Sequence, residues 1–283
     1  MVVKAIKAAK EIFKLLALSA KMDLASLLRD TATVLFEVFT DIITSAAAIT
    51  GVFLLAWRFD GIGGMCRYEV LLMLAFATVI SGLYMIFFGN NNGHISRRIR
   101  RGQFEHMFVQ PRTLPVQLFT DGFYPFSCGW TFIFGVITMS IAVANLEIAL
   151  SLWWILALVG YLIVSLSIIV GFLYLAGSLA FYAPVQAEEI SSHVFSAFEH
   201  IGRFPLSGMP RYLKFPLLTL APSGLLAWFP TLALLGRPPL YWSPLYPLIF
   251  AVVLWIVALY FFRKGLRYYV KAGINRYTDF GRR

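Results

Sequence analysis

Three side chains suited to acid–base or metal chemistry, Glu189, His193 and His200, lie within one stretch of the chain. Spacings of four and eleven residues put all three on one face of an α-helix. Carboxylates and imidazoles on an inward face can bind a metal ion or relay protons. The stretch has no HExxH pattern and no second matching half. A polar cytoplasmic segment, or a buried helix held by interhelical hydrogen bonds, therefore explains the same pattern.

A second pair of acidic residues, Glu37 and Asp41, interrupts an otherwise apolar run. The spacing of four puts both carboxylates on one helical face. A charge near the centre of a bilayer costs about 2.5–3.5 kcal/mol, so such groups usually face a bundle interior or a wet cavity. The pair is a candidate to line a path through the membrane or an interface between two copies. In the alternative, both residues lie shallow enough to meet water or headgroups.

The elements that carry these residues are predicted to be membrane-spanning helices. Of the 283 residues, 59% are hydrophobic and 13% are charged, and the mean hydropathy is +0.76. A soluble domain of this length needs more polar surface. A span needs roughly 20 apolar helical residues. The sequence therefore predicts an all-α polytopic membrane protein with about six transmembrane helices, at 31–57, 70–88, 122–144, 152–182, 212–235 and 244–262.

The fifth span is ambiguous. The run 212–235 contains Pro216, Pro222 and Pro230, and three prolines break a simple span into short pieces. In the alternative, 186–204 is a polar fifth span and 210–236 is a re-entrant hairpin that enters from the outer side. Both arrangements give the same number of spans.

The distribution of Lys and Arg predicts the orientation. The net charge is +10, and the first arrangement puts 21 of the 24 basic residues on one side of the membrane. The second arrangement keeps 18 of 24 there. Because basic residues concentrate in cytoplasmic loops, both termini are expected in the cytoplasm of a multi-pass cell (inner) membrane protein. The segment 1–29 has apolar and Lys-bearing faces, which predicts an amphipathic helix at the membrane surface that contacts lipid.

The loop 90–121 contains the most informative motif, IRRGQFEHMFVQPRTLPVQ. Phe104, Met107 and Phe108 fall at i, i+3 and i+4, so they are predicted to form one exposed apolar knob on a short helix. A helix of this kind can dock in the groove of a partner protein. The alternative is a basic loop resting on lipid headgroups.

Four segments, in this order along the chain, resemble the six-span branch of type-2 ABC exporter permeases, a branch of the ABC-2 transporter family. They are FDGIGGMCRYEVLLM before the second span, the loop motif above, RFPLSGMPRYLKFPLLTLAPSG before the last span, and GLRYYVKAGINRY near the C-terminus. The resemblance implies a permease subunit that pairs with a second copy or a sister permease. It also implies that cytoplasmic ABC ATPase subunits are partners of this chain. Those subunits bind ATP and Mg²⁺, and this chain is expected to hold no cofactor. The unusually polar fifth span departs from the family pattern.

The resemblance also implies a role for each part of the chain. The first cytoplasmic loop carries the coupling helix, and the residues that match it are Arg97, Arg98, Arg101, Gly102, Phe104, Glu105, Met107, Phe108 and Pro111. Their charge and spacing, rather than the resemblance, make four residues the candidates for the translocation path or dimer interface: Glu37, Asp41, Glu189 and His193. The segment 1–29 would brace the ATPase, 210–236 would be the outer hairpin, and 263–283 the cytoplasmic tail. Such permeases often export lipids, glycans or drug-like compounds.

The absence of certain motifs limits the other functions. The chain has no GxxxxGK[ST] phosphate loop and no serine or cysteine catalytic arrangement, so no catalytic site of its own is expected. Its basic loops lack a nucleic-acid-binding fold, which excludes nucleic acid as the expected partner. The rival hypothesis is a membrane metalloenzyme or proton-coupled carrier that uses Glu189, His193 and His200.

Overall fold

The computed structural model describes residues 2–89, 95–110, 112, 114–120, 122–237 and 244–272. Within these ranges the chain is helical, and its only β pairing is an isolated bridge in a turn. The described residues form twelve α-helices: α1 Val2–Arg29, α2 Thr31–Arg58, α3 Arg67–Phe88, α4 Ile95–Arg100, α5 Gln103–Val109, α6 Leu114–Thr120, α7 Gly129–Asn145, α8 Leu152–Gly177, α9 Pro184–Ile201, α10 Arg211–Thr219, α11 Trp228–Leu234 and α12 Tyr246–Ala272.

Four helical stretches are long and apolar enough to cross a membrane. They are α2, α3, the stretch Leu152–Phe181 that begins as α8, and α12 from Tyr246 to Lys271. The all-α polytopic membrane fold is therefore confirmed, and four of the six predicted spans are single long helices. The third predicted span is shorter than expected, because residues 122–128 are not helical and α7 begins only at Gly129.

The helices of the bundle have two ends that differ in charge. At the end called here the basic end, α4 and α5 pack against the C-terminal parts of α8 and α12. At the opposite end, the indole nitrogen of Trp154 donates to the carbonyl of Leu234 at 3.2 Å. There Glu69, at the start of α3, also forms an ion pair of 3.0 Å with Arg237. The basic end therefore collects the Arg-rich loop and the start of the C-terminal tail.

The closest helix pair is α3 with α7, and two glycines permit its contact. A Cβ on Gly135 would lie 2.8 Å from the amide nitrogen of Val79, and a Cβ on Gly82 would overlap the backbone of Phe132. Small residues allow helices to approach closely in a membrane, where lipid contact gives helices no hydrophobic reason to associate. α3 is accordingly the most buried of the candidate spans, with 67% of its apolar window buried.

The helix α9 connects the two ends of the bundle. Near its start, Glu188 contacts the Arg-rich helix α4, and further along Phe195 packs on Tyr84 of α3 with ring centroids 5.0 Å apart. Beyond its end, the backbone at Gly208 lies against Gly63 in the turn that follows α2. The chain from Glu188 to Gly208 therefore runs from the basic end to the opposite end. Its membrane placement as the fifth span stays a prediction.

The proline-rich run after α9 is sharply bent. α10 and the stretch Ser223–Leu234 meet at an angle of 75°. The carbonyl of Leu218 accepts a bond from Tyr246 at 3.0 Å, and that of Leu234 accepts from Trp154. Both contacts are with residues near the opposite end of α8 and α12. A single straight span over 212–235 is therefore excluded.

The N-terminal helix α1 is attached to the bundle through Asp23, which is buried. One carboxylate oxygen of Asp23 accepts from the amide nitrogens of Phe126 at 2.8 Å and Ser127 at 3.2 Å, and the other accepts from the Ser127 hydroxyl. Apolar residues elsewhere on α1, such as Phe13 and Met22, are exposed. This exposure fits the predicted surface helix, whose contact with lipid stays a prediction.

Candidate functional site

The two short helices α4 and α5 form the candidate site at the basic end. Gly102 joins them in a left-handed conformation with φ of 65°, which a glycine adopts without the steric cost of a Cβ. At the other end of α5, the buried amide of Gln117 donates to the carbonyls of Met107 at 2.9 Å and Arg112 at 2.7 Å. The bond to Met107 satisfies a carbonyl that the end of the helix leaves free, and the bond to Arg112 holds the chain that follows. Both ends of α5 are therefore fixed to the rest of the loop.

Phe104 is fully buried and belongs to an aromatic cluster that we name the Phe104 cluster. Its ring lies 5.7 Å from that of Phe181 and 5.6 Å from that of Tyr269, both in edge-to-face contact. Phe181 in turn contacts Phe262 at 5.1 Å. Such aromatic pairs contribute about 0.5–1.5 kcal/mol beyond the area they bury. The Phe104 cluster therefore joins α5 to the ends of α8 and α12.

The prediction of one exposed knob made by Phe104, Met107 and Phe108 is wrong. Phe104 is 0% exposed and Met107 is 5% exposed, because their face of α5 packs on the bundle. Phe108 is 47% exposed and the next residue, Val109, is 86% exposed. The exposed apolar surface of α5 therefore consists of these last two residues, which we call the α5 tip. The role of either face in ATPase contact stays a prediction.

A hydrogen bond and the cluster together connect α5 to α12. The hydroxyl of Tyr269 donates to Oε1 of Glu105, one residue after Phe104. The approach of α12 to the end of α8 requires Gly265, because a Cβ there would lie 2.7 Å from the Phe181 ring and 3.1 Å from the Ser178 carbonyl oxygen. A displacement of α5 therefore moves directly against α12.

The second connection is an ion-pair triad between α4 and α9. Arg97 and Arg100, one helical turn apart, donate to the two oxygens of the same Glu188 carboxylate at 3.0 and 2.8 Å. The arginine side chains are 44% and 50% exposed. Exposed ion pairs contribute roughly 0–1 kcal/mol each, since water screens them. The triad therefore positions α4 on α9 and adds little to overall stability.

The remaining predicted coupling residues are arranged around this frame. Arg98 donates to the sulfur of Met107 at 3.7 Å, which attaches α4 to α5. Arg101 is exposed beside Gly102. Pro111 lies outside the described residues.

Glu37 and Asp41 of α2 are not buried inside the bundle. Glu37 is exposed on α2 and Asp41 is partly exposed. Only 17% of the apolar window of α2 is buried, along a stripe of Ser45, Ile49 and Val52. Asp41 comes four residues before Ser45 and continues this stripe, whereas Glu37 lies at its exposed margin. Within a single chain, the pair therefore lies at the edge of the contact between α2 and the bundle. An interface with another copy, or a path between two copies, stays a prediction.

Cys128, which precedes α7, lies near three acidic residues. Burial raises the pKa of its thiol to about 11, with further contributions from the carboxylates of Asp23, Asp41 and Glu37. The negative charges disfavour the thiolate and thus favour the neutral thiol. This relationship places Glu37 and Asp41 within electrostatic range of the junction between α1 and α7.

The proposed metal or proton site on α9 is an exposed helix face. Glu189, His193 and His200 are all exposed. Among the described residues, no group of three or more His, Cys, Asp or Glu side chains lies close enough to bind a metal ion. The metalloenzyme hypothesis therefore draws no support from the arrangement of these side chains.

Sequence reasoning missed Glu188, Tyr269 and Phe181 as partners of the loop. The spacing of Arg97 and Arg100 at i and i+3 was a usable signal, because it predicts two cations that can share one carboxylate. The sequence alone does not show whether Glu188 or Glu189 faces α4, because that depends on how α9 is rotated about its axis.

Comparison with known proteins gives one match. The sequence model of a family described as "ABC-2 family transporter protein" matches residues 42–273. No curated protein and no solved structure matches the chain. The matched range includes α4, α5, α9 and the described part of α12, so it contains the whole candidate site.

Proposed function

Because the chain belongs to the ABC-2 family of transporter proteins, we propose that it is the transmembrane permease subunit of an ATP-driven exporter. Association with an ABC ATPase follows from the family. In this proposal, separate ATPase subunits in the cytoplasm bind ATP and Mg²⁺, and this chain couples their hydrolysis cycle to export of an amphipathic substrate. Such a substrate would be a lipid, a glycan carrier or a drug-like compound.

The observation that carries the proposal is that α5 has one buried face and one exposed apolar face. Its buried face is attached to the bundle through Phe104, and its exposed face presents Phe108 and Val109 among polar and basic neighbours. An exposed apolar pair at the end of a short helix suits the groove of a partner protein. The partner's movement would reach α12 through Glu105 and Tyr269, and α9 through the triad.

The proposed mechanism needs two states of the permease that bind the ATPase pair with different free energies. A ligand shifts such an equilibrium only by its differential affinity for the two states. Closing of the ATPase pair on ATP would move α5, and the attached ends of α8 and α12 would follow as packed units. The triad can then break and re-form, since the half-exposed arginines can exchange Glu188 for water.

We propose a dimer in which α2 contributes to the interface or to the path between copies. α2 leaves most of its apolar window exposed, and at the edge of that surface Glu37 is exposed and Asp41 is partly exposed. Two carboxylates facing lipid would each cost about 2.5–3.5 kcal/mol. Contact with a second permease copy, or with water between copies, removes this cost.

The charge distribution supports a cytoplasmic basic end in a cell (inner) membrane, with both termini on that side. With this orientation, the bent run 210–236 enters from the outer side as a re-entrant hairpin. The chain on either side of that run lies at the opposite end of the bundle, since Gly208 packs against Gly63 and Leu234 accepts from Trp154, which supports a hairpin rather than a crossing.

The proposal is tested by reconstituting the chain with the ABC ATPase encoded beside it. We expect a stable complex in detergent whose ATP hydrolysis in vesicles rises when an amphipathic substrate is added. A folded chain that binds no ABC ATPase would overturn the proposal. Stoichiometric metal that is lost in His193→Ala would instead support the metalloenzyme hypothesis.

A further inference from the structure

An open groove of about 600 Å³ lies between α3, α6, α8 and α12. Its walls are apolar over most of their length, and they include Phe88, Leu118, Ile163, Val170 and Leu259. The groove extends along α8 and α12 toward the basic end, because Phe88 is the last residue of α3. It therefore occupies the half of the bundle nearest that end.

One cation lies in this apolar groove. Arg263 of α12 lines the groove, and it is the only Lys, Arg, Asp or Glu among the lining residues. Its side chain is exposed, and it forms no ion pair within the part of the chain that the structure describes. Arg263 is nine residues before the end of α12, which places it toward the membrane surface. A guanidinium at this depth favours an anionic oxygen as its partner.

We propose that this groove binds a phospholipid with a net anionic headgroup from the membrane leaflet at the basic end. One acyl chain would lie along Ile163, Val170 and Leu259, and the phosphate would meet Arg263. An apolar channel with a single cation near its surface end matches the two parts of such a molecule. The site goes beyond the proposed coupling of this chain to an ATPase and does not depend on it.

The apolar walls of the groove and the cation Arg263 contribute separately to the affinity for lipid. In the membrane, the acyl chain exchanges neighbouring lipid tails for the groove walls, so it gains packing contacts and no transfer energy from water. One basic residue near an anionic surface contributes about 1 kcal/mol, or about fivefold in affinity. The walls therefore bind lipids of any headgroup, and Arg263 gives the preference for an anionic one. A free phosphate ion would use Arg263 but not the walls.

The test is native mass spectrometry of the purified full chain in detergent, titrated with phosphatidylglycerol or phosphatidylcholine of identical chains. The unmodified chain should bind phosphatidylglycerol about fivefold more tightly, the change that 1 kcal/mol produces. Arg263→Gln should remove this preference, because it should weaken phosphatidylglycerol binding more than phosphatidylcholine binding. Arg267→Gln, an exposed charge on the same helix outside the groove, should retain the preference.

A second variant tests the walls. Leu259→Trp fills the groove and should weaken binding of both lipids by a similar factor. An ion site at Arg263 alone would not show this effect.

A separate measurement uses Trp255, which also lines the groove. Lipid with brominated chains should quench its fluorescence. The quenching of Trp255 is obtained as the difference between the unmodified chain and Trp255→Phe. It therefore tests the groove independently of the Leu259 variant. Equal binding of both lipids by the unmodified chain, or no quenching of Trp255, would overturn the proposal.

Discussion

The hydroxyl of Tyr269 donates a hydrogen bond to the carboxylate of Glu105, a residue 164 positions earlier in the chain. This bond joins α5 to α12 beside the edge-to-face contact of Tyr269 with Phe104. The short helix of the basic loop and the last long helix of the bundle are therefore directly connected. In the proposed permease, a force applied to α5 reaches α12 without passing through another element.

Removing the Tyr269 hydroxyl should weaken transmission and leave the complex intact. Tyr269→Phe keeps the aromatic contact with Phe104 and loses the bond to Glu105. A hydrogen bond to a charged group contributes about 1.5–3 kcal/mol. We expect normal co-purification with the ATPase and a several-fold smaller stimulation of ATP hydrolysis by substrate. Full stimulation in Tyr269→Phe would show that this bond is not part of the connection.

The triad of Arg97, Arg100 and Glu188 should show measurable but small coupling. A double-mutant cycle with Arg100→Ala and Glu188→Ala should give a coupling energy of about 0.5–1 kcal/mol at low salt, because water screens the half-exposed Arg100 although Glu188 is only 23% exposed. The coupling should shrink in 0.5 M salt, where screening is stronger. Thermal unfolding in detergent measures it. A cycle on Glu189, which faces away from α4, serves as the control and should give no coupling.

The glycine contact between α3 and α7 should be sensitive to added volume. Gly135→Val places a side chain against the backbone of Val79 and should cost about 1–3 kcal/mol through overpacking. Gly160 of α8 has open space around it, so Gly160→Val is a matched control with little effect. Melting temperatures of the two variants in the same detergent give the comparison. Equal melting temperatures would contradict the close packing of α3 on α7.

Cys128 should react slowly with an alkylating reagent, and its reaction should accelerate with pH. The pKa of its thiol is raised to about 11, so the reactive thiolate increases about tenfold for each pH unit between 7 and 10. Replacing Glu37 and Asp41 by Gln and Asn removes two negative charges, lowers the pKa and should speed the reaction at pH 8. Mass spectrometry of the labelled peptide measures the rate, and exposed Cys66 is the internal control. An unchanged rate in the double variant would contradict the proximity of these groups.

Much of the fold was accessible from the sequence because hydropathy and length decide which helices can cross a membrane. The spans at α2, α3, α8 and α12 follow directly from apolar runs. The third span and the proline-rich run were harder, because α7 begins only at Gly129 and α10 ends at Thr219, at points that hydropathy does not mark.

The site was predicted only in part. Periodicity correctly put Phe104, Met107 and Phe108 on one short helix. It could not show that the Phe104 side faces Phe181 and Tyr269, which are distant in sequence. The direction that a short helix faces depends on long-range packing, and a seven-residue helix has too few turns to show its buried stripe clearly.

The buried position of Phe104 changes how docking must be tested. Phe104→Asp would place an unpaired carboxylate in the Phe104 cluster and would disturb folding whatever the ATPase does. Phe108, by contrast, is exposed enough to accept an aspartate while α5 stays in place. Phe59, an exposed phenylalanine in the turn at the opposite end, offers a matched control.

The most direct test of the account is therefore co-purification of the partner ATPase with Phe108→Asp. We expect the variant chain to fold, with an unchanged melting temperature, and to retain less than about a tenth of the bound ATPase, since a central apolar contact in an interface can contribute 2 kcal/mol or more. Phe59→Asp should retain it all. Full retention of the ATPase by folded Phe108→Asp would contradict docking at the α5 tip.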